Sequence, residues 1–305
     1  MAQRSRLTPL QWLGRANRIA IGAFYSFNAA DGWAIASHIA LSGLMALFPF
    51  LIVVAALGGF FGSRELADEA ARILLEAWPR EVAAPIAFDI RRVLTIARGD
   101  VLTLGVAFAI YFASSGVESL RIALNRSYAV VDRRNWLVLR LESIVFVLIG
   151  AVALLVFAFL VVLAPLIWAT ALRYIPALEP FGVLVTFTRF AIAAIVLVAA
   201  LFILHFWLPA GRRRLRDIAP GILATLMLWL IGGAAFGRYL AEYAFNYFTM
   251  YAGLASAMIA LLFLYISASI FIYGGELNAA ILRARTAGDE AAPPTDRPDI
   301  RQGLS

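Results

Sequence analysis

Apolar residues in this chain run in long blocks, separated by short polar and arginine-rich stretches. Six blocks, at about 34–61, 101–117, 143–168, 181–208, 218–240 and 254–282, are candidates to cross a hydrocarbon layer of about 30 Å as helices. The pattern predicts an all-α polytopic membrane protein. Inside the last block, Leu254 to Gly275 carries no charge and no proline, and Glu276 and Asn278 follow at once. Tyr265, Ser269, Tyr273 and Glu276 recur at helical spacing and give that helix one polar stripe. A carboxylate at such depth is costly against lipid, so Glu276 is expected to face protein or water.

The stretches between the blocks also have periodicity. Leu13, Ala16, Ala20, Phe24 and Phe27 place a helix within residues 1–33, lying in the headgroup region. Residues 62–100 hold two amphipathic patterns, one through Leu66, Ala70, Ile73 and Ala77, the other through Val82, Ile86, Ile90, Val93 and Ala97. Together they predict an outer cap on a bundle spanning 34–285. Beyond the second block, Ser114, Glu118, Arg121 and Asn125 keep one helical face, so that helix projects out of the membrane. Pro49 and Pro165 predict bends, and Gly233-x-x-x-Gly237 predicts a close helix approach. Residues 286–305, with Pro293, Pro294 and Pro298 among acids, read as a disordered tail.

Composition narrows the chemistry. Mean hydropathy is +0.85 and 15% of residues are charged, against about 25% in a soluble protein. All 26 basic residues are arginine, which removes Schiff-base and phosphate-loop lysine chemistry. Cysteine is absent, so disulfides and thiolate metal sites are excluded. His38 and His205 are the only histidines, and neither a metal nor a cofactor is expected. The net charge of +7 reads as positive-inside bias, not as a nucleic-acid surface. Arginines crowd residues 1–33, 118–142, 209–217 and the tail, which places both termini in the cytoplasm. The first apolar run is too long for a cleavable signal.

The segments HIALSGLMALFPFLIVV in the first block, LASAMIALLFLYISA in the sixth and YGGELNAAI at its end resemble the YihY/BrkB family of bacterial inner-membrane proteins. The resemblance covers about Asp31 to Leu282. It implies a six-span inner-membrane protein whose members have carried a ribonuclease label regarded as misassigned, with links to virulence or envelope functions. His38 stands where an aromatic or small residue is more usual, so no family role is carried onto it.

In this topology the polar groups gather toward the cytoplasmic third. Glu276, Asn278, Glu118, Arg121, Asn125, His38 and Ser42 are the candidates to line a cavity open to the cytoplasm, with Glu276 meeting Arg121 or His38. The competing reading is structural: Glu276 locks helix packing, Glu118 and Arg121 form an i, i+3 pair, and Asn278 bridges helices. His205 beside Trp207 reads as interfacial. Arg212, Arg213, Arg214 and Arg216 serve topology or bind anionic lipid headgroups. Two functions stay open on this pattern: a transporter or flippase-like protein for an anionic or amphiphilic envelope compound, and a non-catalytic scaffold or partner-binding subunit. An enzyme, ribonuclease included, is not expected, because no carboxylate or histidine cluster is in the sequence. The bilayer is the expected partner, nucleic acid is not, and a homo-oligomer is allowed.

Overall fold

The computed structural model describes residues 9–61, 99–211, 213–251 and 254–290, and the cap expected at 62–100 lies outside them apart from its last two residues. Every element among the described residues is helical. In chain order they are α1 (Pro9–Ala29), α2 (Gly32–Phe61), α3 (Gly99–Ser127), α4 (Trp136–Ala158), a π turn (Phe159–Leu163), α5 (Ala164–Tyr174), a 3-10 turn (Pro176–Phe181), α6 (Gly182–Trp207), α7 (Leu215–Tyr251) and α8 (Ala255–Glu290). Six helical stretches are long and apolar enough to cross a membrane.

Local chemistry sets the breaks. Between α1 and α2 the chain reverses at Asp31, which takes a left-handed φ of 58° that aspartate tolerates better than most residues. Gly32 follows, where a Cβ would collide with the ring and carbonyl of Phe27, so the tight turn needs glycine. Asn135 caps α4 by accepting the Leu137 amide at 3.0 Å. The π turn ends two residues before Pro165, whose missing N–H and ring leave the preceding turn without a normal ladder. Pro49, by contrast, lies inside a continuous α2.

α8 is the central post. It packs against α7, α2, α1 and α3, while α2 also packs on α3, α3 on α4, and α6 on both α4 and α7. Two apolar cores form around it. Phe271 joins Leu124, Phe146, Leu201, Leu208, Ile218 and Ile222, drawn from α3, α4, the end of α6 and α7. Ala268 and Ile272 join Phe27, Ala36 and Ala123 from α1, α2 and α3. Both cores lie toward the face that carries the two termini. Nearer the opposite, distal face, large apolar side chains such as Val152, Leu155, Val183, Phe187 and Leu230 are exposed, as lipid-facing positions are.

Close helix approach does occur, but elsewhere than the glycine pair predicted. A Cβ on Gly233 or Gly237 would meet nothing within 4 Å. A Cβ on Gly221 would strike the Gly274 carbonyl and Asn278, and one on Gly274 would strike Thr225. A Cβ on Gly275 would lie 2.5 Å from Leu124. Backbone-to-backbone contact between α7 and α8 therefore sits at Gly221 and Gly274, near the terminal face. Without a hydrophobic force between helices in lipid, such contacts supply the packing.

Candidate functional site

Glu276 and Asn278 sit on α8 inside the packed terminal third. Glu276 is 2% exposed, and its Oε2 has no hydrogen-bond partner. The Ser127 hydroxyl of α3 faces this carboxylate. The cation paired with it among the described residues is Arg283, about two turns along α8, with Nη2 at 3.8 Å. Arg283 also donates to the Ser127 carbonyl at 3.2 Å and to Ser26 Oγ of α1 at 3.3 Å. The expected meeting of Glu276 with Arg121 or His38 is thus replaced by Arg283 and Ser127. The reason is angular: Arg121 and Ser127 are six residues apart on α3, about 120° around its axis, so they face different neighbours.

Arg121 turns to α4. Its Nη2 donates to Ser143 Oγ at 2.7 Å and to the Leu139 carbonyl at 3.0 Å, with Glu142 at 3.6 Å. Nε and Nη1 of this fully buried side chain have no partner. Glu118 pairs across helices with Arg140 at 3.1 Å and not with Arg121. Arg140 also donates to Ser115 Oγ and the Tyr111 carbonyl and lies over the Tyr111 ring. His38 is exposed and shares a 2.8 Å hydrogen bond with Ser119 Oγ. Ser42 is buried against Gly116, packing α2 onto α3. These candidates make helix-to-helix contacts.

Asn278 Oδ1 accepts the Gly221 amide of α7 at 2.6 Å. His205 is not interfacial: it is fully buried, its Nδ1 is 2.9 Å from the Leu201 carbonyl and its ring packs on Phe271 at 4.5 Å. Position 205 shares the inward face of α6 with Leu201 and Leu208, four residues before and three after.

A second polar group, absent from the sequence reading, lies at the terminal face between the α3–α4 linker and the α6–α7 linker. Arg134 holds Asp132 through Nη2–Oδ2 at 2.6 Å, Nε–Oδ1 at 2.9 Å and its own backbone amide at 3.1 Å. Its Nη1 reaches both Glu142 oxygens, at 2.9 and 2.7 Å. The hydrogen bond from Arg134 is the main reason the Asp132 carboxyl is held down at about 2, and the same bond raises Arg134. Glu142 thereby joins Arg134 to the buried Arg121. Asn125 ties this group to the second linker by accepting the Ala210 amide at 2.7 Å.

Arg213 completes the arrangement. Its guanidinium lies 3.7 Å over the Tyr128 ring, Nη2 donates to the Ala210 carbonyl at 2.8 Å, and Nη1 is buried without a partner. Burial pushes the Tyr128 hydroxyl up to about 12 and pulls Arg213 down from its ordinary value. A cavity of about 650 Å³ opens here, lined by Asp132, Arg133, Arg134, Glu142, Trp207 and Arg213 among others. Of the candidates read from sequence, Arg213 lines it. Arg214 and Arg216 are exposed, and Arg212 lies outside the described residues. The signal that was available is the dense run DRRNW at 132–136, which the hydropathy pattern alone reads as a basic linker.

Residues 23–299 match the virulence factor BrkB family. The chain belongs to that family. The match takes in α2 to α8 and the later part of α1, so the packed terminal third and the arginine-lined cavity are built wholly from residues inside it. Among curated proteins the chain is similar to the ribonuclease-like protein YfkH of Bacillus subtilis (strain 168), at 24% identity over 267 residues, covering 88% of this chain and 96% of the relative. No solved structure matches.

Proposed function

We propose that this BrkB-family protein is a transporter or flippase-like protein of the bacterial inner membrane, acting on an anionic, amphiphilic envelope compound. The observation that carries the reading is the cavity between the two linkers, where arginines stand beside exposed aromatic surface. Arg134 is neutralised by Asp132 and Glu142, which leaves Arg133 and Arg213 to attract an anion. Phe206 and Trp207 complete the lining, and Trp207 is 60% exposed at the end of α6, where it would meet acyl chains and headgroups. The arginine bias toward this face supports a cytoplasmic placement of both termini.

A ribonuclease reading, prompted by the description of the relative, has less support. RNA hydrolysis needs carboxylates or histidines free to hold metal or move protons. Here Asp132 and Glu142 are bound up by arginines, Glu276 is enclosed, and His205 is packed on Phe271. We therefore hold the protein to be a non-enzyme.

The experiment is reconstitution into liposomes containing fluorescent phosphatidylglycerol, with translocation read by quenching of the outer leaflet. Movement faster than in empty liposomes, slowed by Arg213→Gln, is the expected result. Rates equal to those of empty liposomes would sink the reading.

A further inference from the structure

α6 carries a second cation, far from the cavity. Arg189 sits seven residues after the start of α6 at Gly182, about 10 Å along the helix and inside the span Pro176–Trp207. Its Nε is buried without a hydrogen-bond partner, and among the described residues no carboxylate pairs with it. The guanidinium contacts the Phe190 ring, with Cζ 4.6 Å from the centroid. Arg189 lies eighteen residues from Trp207, so in a layer of about 30 Å with Trp207 at one boundary it stands at the distal boundary, where a guanidinium reaches lipid headgroups.

Its place on the helix gives the residue a direction. Arg189 and Trp207 are eighteen residues apart, which is five turns, so they share one face of α6 with about 27 Å between them. That face runs through Ala193, Val196, Ala200 and Ile203. Ala193 is 4% exposed, and the other three are half-buried. These side chains are small or aliphatic and turn toward neighbouring helices, with Ile203 packed on the core around Phe271, so the two ends are joined along packed apolar surface. One end meets an arginine-lined cavity and the other Arg189, which has no carboxylate partner among the described residues.

We propose that Arg189 is a second anion-binding station, in the distal half of the membrane, for the phosphate of a lipid headgroup. The guanidinium supplies paired N–H donors to phosphate oxygens, and Phe190 and the exposed Phe187 lie beside the acyl chains. The proposal extends the transport reading, which supplies the cavity at the other end of the face, while its own test is binding at the distal end.

The chain has no cysteine, so a single Thr186→Cys, one turn before Arg189 and exposed, can carry a fluorophore at that depth. Labelled protein is reconstituted in phosphatidylcholine vesicles containing a trace of spin-labelled phosphatidylglycerol or, in parallel, spin-labelled phosphatidylcholine. Quenching by the phosphatidylglycerol is expected to exceed that by phosphatidylcholine about fivefold in effective local concentration, the weight of about one arginine at an anionic lipid surface. Arg189→Gln should abolish the preference, Arg189→Lys should keep most of it, and Arg213→Gln should leave it intact. Equal quenching by both lipids, or a preference that survives Arg189→Gln, would overturn the proposal. Loss of the preference on adding millimolar glycerol phosphate would also overturn it, by showing that the site takes the free phosphate and not the lipid. Since Arg213→Gln acts on the cavity alone, failure of the transport reading and failure of this one are seen separately.

Discussion

Asn278 accepts the Gly221 amide at 2.6 Å, so a side chain of α8 holds the backbone of α7 where the two helices come closest. This contact, with Gly274 against Thr225 and Gly275 against Leu124, makes the YGGELNAAI segment a packing surface as well as a polar one. Pro220 precedes Gly221 within α7, and the amide that follows it is bound by a neighbouring helix.

Gly221→Ala should therefore destabilise the protein by about 1–3 kcal/mol, because the new methyl meets the Gly274 carbonyl, which cannot swing away. Gly233→Ala, in open space on the same helix, should cost little. Thermal unfolding of the two variants in detergent, followed by fluorescence size-exclusion, checks the contrast. Equal midpoints would show that the helices part easily at this point.

The Arg121–Glu142–Arg134–Asp132 chain predicts a second contrast. Glu142→Gln leaves the enclosed Arg121 without its carboxylate and should cost about 3 kcal/mol, the scale for one partner of a buried pair. The double variant Arg121→Met with Glu142→Gln removes the stranded charge and should recover part of that loss. A double-mutant cycle on melting temperatures measures the coupling. Additive losses would mean that Arg121 does not depend on Glu142.

Asp132 gives a pH dependence with a defined sign. Its carboxyl is lowered from 3.8 to about 2 in the folded protein, chiefly by Arg134. The stabilisation is complete above the unfolded value, fades as pH falls from about 3.8 toward about 2, and is gone below that. Wild type should thus exceed Asp132→Asn in stability at pH 5 and above, and the two should converge toward pH 2. Melting curves of both proteins across that range report it; a gap unchanged down to pH 2 would contradict the assignment.

Arg213 and Tyr128 make a fourth case. Arg213→Gln should weaken binding of brominated phosphatidylglycerol at the cavity about fivefold, the weight of about one basic residue near an anionic surface. Tyr128→Phe keeps the ring under the guanidinium and should bind as wild type does. Quenching of tryptophan emission, compared with a Trp207→Phe control, reads the effect. A Tyr128→Phe loss as large as that of Arg213→Gln would shift the weight from the cation to the phenol.

Hydropathy and helical periodicity by themselves determined the class of this protein. Runs of apolar residues have one low-energy form in lipid, a helix with its amides satisfied internally, so the spans and the terminal helix Pro9–Ala29 were legible along the chain. The stripe from Tyr265 to Glu276 marked α8 as the helix that others surround, since a carboxylate in hydrocarbon must be covered. Which group covers it was not legible. A partner is chosen by rotation about each helix axis and by which helices are neighbours, and a turn of about 100° per residue puts Arg121 on α4 while Ser127 faces Glu276. The same holds for Gly221 over Gly233, and for Arg134, whose carboxylates come from its own linker and from α4. Tertiary packing decided those pairings, because within lipid the energy lies in close contact and matched polar atoms, and neither is a property of one helix alone.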